Sequence, residues 1–206
     1  MTTIMTGRTT DTSMDWHALD GMYRLRDEVF AHRLGWDVRS NNGYERDVFD
    51  ALNPIYIIAR TENKKIRGCT RILPTIGPYM LRNVFQQLLQ GEEAPTDENI
   101  WELSRFTADG DRDNPQASIG AISVALMRSA VEFAENNGIG RYMAVTSTAM
   151  ERLLKRLGIP TRRLGEGQAM MIGKVSTVAC EIIVDARTRA ALFPNGTSTT
   201  PRRAAA

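Results

Sequence analysis

Halfway along the chain, the stretch Ile100-Trp-Glu-Leu-Ser-Arg-Phe-Thr-Ala-Asp109 sets two ionisable side chains, Glu102 and Arg105, among residues that build strands. Side chains three apart on a regular strand point to opposite faces. Both can serve one site only where a bulge or kink re-aims one of them. Buried ionised groups must be paired, and they are costly unless they do chemistry. A structural ion pair accounts for this segment equally well.

Similar misfits recur in the first half of the chain. On a helical wheel Leu19, Met22, Tyr23, Arg26 and Phe30 share one face. Arg26 therefore stands where a leucine would cost less, unless it snorkels to solvent. Residues 35–53 lack a clear period and read as a long loop carrying Trp36, Asp47 and Asp50. A solvated acidic turn would explain the aspartates but not Trp36. Arg71 lies near the apolar end of a strand, and Phe85 lies in a short helix over residues 83–89.

The elements that must position these residues follow from punctuation and period. Residues 1–13 are loose or a short edge strand, and Ser13 is placed to cap a helix that runs to about Arg33 and ends at Gly35. A hairpin spans Ile55–Arg60 and Ile66–Leu73, and residues 91–99 form a loop before the strand that holds Glu102. A polar turn at 109–115 leads to a helix over 116–137, with Ile119, Ile122, Leu126, Ala130 and Phe133 as its buried face. Residues 141–148 form a strand, 149–157 a basic helix, 168–172 and 175–184 two strands, and 185–192 a last helix. The expected fold is a three-layer α/β sandwich with a mixed central sheet. Residues 1–193 form its single domain, and 194–206 a disordered tail.

Composition narrows the function classes. The chain of 206 residues is 42% hydrophobic and 24% charged with a formal charge of +2, ordinary for a soluble globular protein. Cys69 and Cys180 lie far apart in apolar stretches and read as buried thiols of a reducing cytosol. With only His17 and His32 available, a histidine-rich metal site is not expected. No apolar leader and no run of eighteen apolar residues is present, so the expectation is a cytoplasmic protein without membrane insertion. No helix-turn-helix or aromatic RNA-binding motif accompanies the basic helix, and no nucleic-acid partner is expected.

Taken together, Arg26-x3-Phe30-x5-Trp36, Asp47-x2-Asp50, Arg71, Phe85 and Glu102-x2-Arg105 resemble the pattern of the LuxI-type acyl-homoserine-lactone synthases. The phrases Tyr-Arg-Leu-Arg-Asp-Glu-Val-Phe, Cys-Thr-Arg-Ile-Leu-Pro-Thr and Trp-Glu-Leu-Ser-Arg-Phe surround these positions. The resemblance runs from about Tyr23 to Leu192 and implies a fold similar to the GCN5-related N-acetyltransferases. It implies an acyltransferase of quorum sensing. The amine of S-adenosylmethionine attacks the thioester of an acyl chain on acyl carrier protein. Its carboxylate then displaces methylthioadenosine and closes the lactone.

On that reading S-adenosylmethionine is a substrate, and no cofactor is expected. Glu102 is the candidate base, with Arg105 and Arg71 beside it in the catalytic set. Asp47 and Asp50 would answer the cationic groups of S-adenosylmethionine and Arg26 and Arg71 its carboxylate, while Phe30, Trp36 and Phe85 offer apolar surface. Alternatively these charges form a network that holds the loop on the domain. Neither cysteine has a sequence partner that would activate it, so direct transfer is favoured.

The segment Asp111-Arg-Asp-Asn-Pro-Gln-Ala-Ser-Ile-Gly120 lacks the glycine-rich cradle that acetyltransferases use for the coenzyme A diphosphate. This favours the carrier protein over coenzyme A. Arg141, Arg152, Lys155, Arg156, Arg162 and Arg163 would meet the acidic carrier, a solvated helix face being the plainer alternative. Ala144 aligns with a threonine of family members that prefer 3-oxo chains, which suggests an unsubstituted chain. Met143, Val145, Met150 and Leu153 would shape its tunnel. A monomer is expected. The competing readings are a coenzyme A-dependent N-acyltransferase of another amine and a non-catalytic relative that kept the fold.

Overall fold

The computed structural model describes residues 2–12, 14–108, 118–194 and 196, with 118 and 119 as backbone only. Ten strands and five α-helices are found among them: β1 (Thr2–Gly7), α1 (Trp16–Arg26), β2 (Ser40–Asn41), β3 (Tyr44–Glu45), β4 (Ile55–Thr61), β5 (Ile66–Pro74), α2 (Met80–Asn83), β6 (Ile100–Ala108), α3 (Ser118–Asn136), β7 (Arg141–Ser147), α4 (Thr148–Arg156), β8 (Thr161–Arg163), β9 (Met170–Ile172), β10 (Val175–Ile183) and α5 (Ala186–Leu192). β2 and β3 form a small hairpin of their own. The remaining eight strands form one sheet in the order β1-β4-β5-β6-β7-β10-β8, with β9 also on β10. Only β6 and β7 run parallel, so the sheet is mixed, as the element order suggests.

Strand alternation divides the core between two faces. Tyr56, Ile58 and Cys69 pack under Ala18, Met22, Tyr23 and Leu25 of α1. Ile55, Ile57, Ala59 and Ile72 point the other way, onto Leu126, Ala130 and Ala134 of α3. Leu154 of α4 and Leu192 of α5 join Met127 and Val131 on the α3 face. Helices thus cover both faces, giving three layers. Among the described residues no helix is long and apolar enough to cross a membrane.

Two local departures from regular geometry help to position the charged residues. The first helix starts on the Asp15 carboxylate, which accepts from Ala18 N–H at 2.8 Å, whereas the expected cap Ser13 lies outside the described residues. Its continuation, Asp27–Arg33, is a π-helix, and the wider winding lets Leu34 N–H reach the Val29 carbonyl and Trp36 N–H the Phe30 carbonyl. In β6 the register shifts, so that Arg71 faces Ser104 while Cys69 faces Thr107. The extra residue in β6 includes Arg105, whose φ of 53° is the left-handed conformation that non-glycine residues seldom adopt.

Elsewhere the differences are small. The short helix expected over 83–89 is instead α2 followed by a 3-10 turn at Gln86–Leu89, with Phe85 at the joint. Strand β8 was not expected, because three residues of Thr-Arg-Arg carry no alternation. The expected turn at 109–115, the buried side chain of Ile119 and all but Pro194 and Gly196 of the expected disordered tail lie outside the described residues.

Candidate active site

Three arginines and three carboxylates meet on the α1 face of the sheet. Arg26 is fully buried, so it does not snorkel. Its Nε donates to Glu45 at 2.5 Å, and its two terminal nitrogens donate to Asp50 at 2.8 and 2.9 Å. Arg71, equally buried, donates to Asp47 at 2.5 and 2.9 Å and to Asp50 at 2.7 Å. Arg105 donates to Glu45 at 2.7 Å and lies 2.9 Å from Asp47. Opposite charges balance within the cluster, which is how such groups survive without water.

The long loop supplies all three carboxylates. Glu45 ends β3, and Asp47 with Asp50 closes a capping box on the 3-10 turn Val48–Leu52. Glu45, which bonds both Arg26 and Arg105, was not among the expected site residues. The spacing Glu45-x-Asp47-x2-Asp50 was its one sequence signal. Tyr56, whose hydroxyl donates to Asp50 at 2.6 Å, and Ser104, which accepts from Arg71 Nε at 3.3 Å, were missed as well.

These contacts separate the carboxylates by access. The Asp50 side chain is buried and committed to Arg26, Arg71 and Tyr56. Burial alone would raise its pKa, yet the two guanidinium groups and the Tyr56 hydroxyl hold it well below the usual carboxylate range. Asp47 keeps 14% of its side chain exposed. It faces a cavity of about 890 Å³ walled by α1, the β2–β3 hairpin and the 3-10 turn, whose lining includes Tyr23, Arg39, Arg46 and Val48.

Glu102 stands apart from this network on the same face of β6. The bulge at Arg105 returns both side chains to that face, as the spacing required. Glu102 is fully buried and accepts from the backbone N–H groups of Met80 and Leu81 at 2.9 and 2.7 Å. Desolvation raises its pKa, against the opposing pull of those two N–H groups, Arg71 and Ser104. Arg105 Nη1 lies 3.2 Å from Met80 Sδ, tying the bulge to the segment that holds the carboxylate.

Three aromatic rings cluster beside them. The Trp36 ring lies 5.4 Å from that of Phe30 and 5.5 Å from that of Phe85, and the Arg105 guanidinium sits 5.1 Å from the Phe30 centroid. The Trp36 Nε1 is buried with no hydrogen-bond partner, which suits a ligand able to accept from it.

The strands next to Glu102 do not stay together. β6 and β7 pair only through Ile100–Glu102 and Arg141–Met143, then diverge while each keeps its outer neighbour. The resulting cleft opens toward Ala108 and Ser147. Of the expected tunnel residues, Met143 and Val145 join the core beside Trp36 and Phe85. Ala144, next along the strand, points to the opposite face, where α4 carries Met150 and Leu153. The five therefore lie on both sides of the sheet, and the cleft between the strands is the route that can reach both.

The six basic residues do not form one surface. Arg141 and Arg162 both bond Glu181, and Arg162 also bonds Glu92. Arg163 is bidentate to Glu151, which Lys155 also contacts. Arg162 and Arg163 are neighbours on β8 and project from opposite faces, with Arg152 and Arg156 exposed on α4. A single cationic face is thus ruled out by strand alternation. Cys69 and Cys180 are buried thiols, both pushed up to about 12 chiefly by desolvation.

The model of the autoinducer synthase family matches residues 11–192. An acyl-homoserine-lactone synthase of Vibrio anguillarum is 36% identical over 83% of this chain and 89% of its own length, and one of Aliivibrio fischeri is 37% identical over 84% and 90%. Among solved structures, the synthase LasI superposes with a TM-score of 0.87 at 33% identity, covering 98% of this chain and 99% of LasI. A TofI structure in complex with an inhibitor and MTA matches with a TM-score of 0.75 at 35% identity, over 93% and 96%. The coenzyme A-dependent synthase BjaI, solved with SAM and isopentyl-CoA, gives 0.80 at 26%, over 94% and 89%. An acyl-CoA N-acyltransferase from Pseudomonas aeruginosa shares the fold at a TM-score of 0.56 and 12% identity, over 88% and 99%.

Proposed function

Because the chain belongs to the autoinducer synthase family and is an acyl-homoserine-lactone synthase, we propose that it joins an acyl chain from acyl carrier protein to the amine of S-adenosylmethionine and then closes the lactone. The observation that carries this reading is the placement of buried Glu102 where β6 leaves β7. There a thioester threaded between the strands and an amine beside Trp36 would meet.

The amine arrives protonated and must lose a proton before it attacks. Glu102, with its pKa raised by burial, takes that proton directly or through water. Nitrogen then bonds the thioester carbonyl carbon, the C–S bond breaks, and nitrogen's second proton ends on the departing pantetheine thiolate while the first passes from Glu102 to solvent. In the second step a carboxylate oxygen bonds the γ-carbon while the bond to the sulfonium breaks, releasing neutral methylthioadenosine without a net proton. S-adenosylmethionine is consumed, and so it is a substrate rather than a retained cofactor.

Asp47 is the carboxylate we assign to the cationic groups of S-adenosylmethionine, because Asp50 and Glu45 have no free access. Trp36 supplies stacking surface and an unpaired N–H, and TofI with MTA and BjaI with SAM support a related ligand here. Arg26 and Arg71 act by holding the carboxylates in place, and Arg105 by holding the bulge.

A coenzyme A thioester as donor is the second reading, favoured by the likeness to BjaI. The segment whose composition argued against a diphosphate cradle lies largely outside the described residues. The acyl chain we propose is unsubstituted, since Ala144 offers no hydroxyl to a 3-oxo group. Incubating the protein with S-adenosylmethionine and matched carrier and coenzyme A thioesters, with lactone followed by mass spectrometry, decides between donors. Carrier-linked donors are expected to be used at lower concentration. Preference for coenzyme A thioesters would overturn the donor assignment, and a 3-oxo product preference the chain assignment.

A further inference from the structure

The open end is the direct way into the cleft for a donor arm tethered to a protein, which puts the carrier on what rims Ala108 and Ser147. Arg141 and Arg162 fail this condition. Arg141 faces Ile100 at the closed end, about 20 Å of strand from Ser147, and Arg162 is level with Met143 through Glu181. The β9–β10 hairpin meets it. Ser147 pairs with Thr177, and Thr177 pairs on its other side with Met170, two strand spacings or about 10 Å away.

That hairpin carries an apolar tip that the fold does not use. Met171 is 65% exposed and Met170 38%, on adjacent positions and so on opposite faces of an edge strand, where both flank its free edge. Flexible methionines on a surface suit contact with a protein partner. Lys174 in the turn lays its stem over Gly35, and Arg33 lies two residues before that glycine. Among the described residues neither cation makes an ion pair. The turn is also fixed in place. Gly173 packs against the carbonyls of Leu34 and Gly35, and Lys174 N–H donates to Leu34 at 2.9 Å. The patch therefore costs little ordering on binding.

We propose that Met170, Met171, Lys174 and Arg33 form the docking surface for the donor's carrier, a small acidic protein bearing the pantetheine thioester. The proposal rests on the reading of acyl carrier protein as the donor. Lys174 and Arg33 attract the carrier's acidic face, and the methionines cover its apolar contact beside the tethered arm.

The test measures steady-state kinetics of the full-length protein with acyl carrier protein thioester and, separately, with the same acyl chain on free pantetheine. Lys174→Glu is expected to raise KM for the carrier-linked donor about tenfold and flatten its salt dependence. Met171→Ser is expected to raise it several-fold. Neither variant should change KM for S-adenosylmethionine or the rate with free pantetheine thioester, and Arg187→Glu on α5, far from the cleft mouth, should change nothing. An unchanged carrier KM in both variants overturns the proposal, as does an equal loss with both donors. A rise confined to Arg152→Glu and Arg156→Glu would move docking to α4 and also overturn it. Failure of the carrier reading itself is distinguishable, because wild-type protein would then show no rate on any carrier-linked thioester.

Discussion

Asp50 and Glu102 are both buried carboxylates, and their neighbours drive them in opposite directions. Asp50 sits between two guanidinium groups and stays ionised, while for Glu102 desolvation outweighs the backbone donors, Ser104 and Arg71, and pushes it toward the neutral acid. Opposed shifts of this kind separate a structural charge from a proton acceptor. Asp50→Asn is expected to cost about 3–5 kcal/mol, read as a lower urea midpoint, because it removes the one buried charge that Arg26 and Arg71 share. Glu102→Gln should lower turnover about 10²- to 10⁴-fold, with a modest fall in the urea midpoint because the amide keeps one of the two oxygens that accept from Met80 and Leu81. A base must be deprotonated to act, so a raised pKa moves the acid limb of the wild-type rate profile above the usual carboxylate value near 4.5, and the Gln variant should lose that limb. Equal turnover in the variant would remove Glu102 from the base role. Arg26, Glu102 and Arg105 were legible in sequence because each breaks an apolar period. Glu45 was not, because a glutamate in a polar loop breaks nothing. Who pairs with whom was not legible either, since loop and strands meet only in three dimensions.

Among the elements, the bulge in β6 was foreseeable from two charges at a spacing a regular strand cannot use. The broken helix around Phe85 was not, because its two short turns are fixed by Glu102 accepting from Met80 and Leu81, a tertiary contact. The π-helix likewise leaves no mark on the period, though it brings Phe30 to Trp36. Where elements touch backbone to backbone, side chains cannot intrude. A Cβ on Gly173 would stand 2.4 Å from the Gly35 carbonyl oxygen, and φ there is 57°. Gly173→Ala is therefore expected to destabilise by more than about 1 kcal/mol, seen as a lower thermal midpoint. Since Gly35 precedes Trp36, KM for S-adenosylmethionine should rise with it; a stabilised variant would show that the turn does not bear on that loop.

For the molecule as a whole, the element order sufficed to expect a mixed sheet covered on both faces, but not that β6 and β7 would be the parallel pair or part so soon. Its response to acid follows from where the carboxylates sit. The bonds to Arg163, followed by that to Lys155, hold Glu151 near 2, and Asp50 lies well below its ordinary value. Groups depressed by folding stabilise the native state above their unfolded values and lose that contribution as pH falls through the folded ones. Urea midpoints should therefore be level near neutrality and fall from about pH 4.5 toward pH 2, with a smaller fall in Glu151→Gln. A flat profile over that range would contradict the pairing seen for both residues.

The parting of β6 from β7 also governs what can add itself to the sheet. An unpaired strand edge on a protein's outside invites other chains to join it, and folded sheets ordinarily blunt or hide such edges. This sheet keeps two of them in its own middle, facing each other from Leu103 to Ala108 and from Ala144 to Ser147. Among the described residues, backbone that pairs with no strand across the cleft is thereby held ready for a narrow guest that brings its own amides, while a neighbouring molecule's strand finds no room to join.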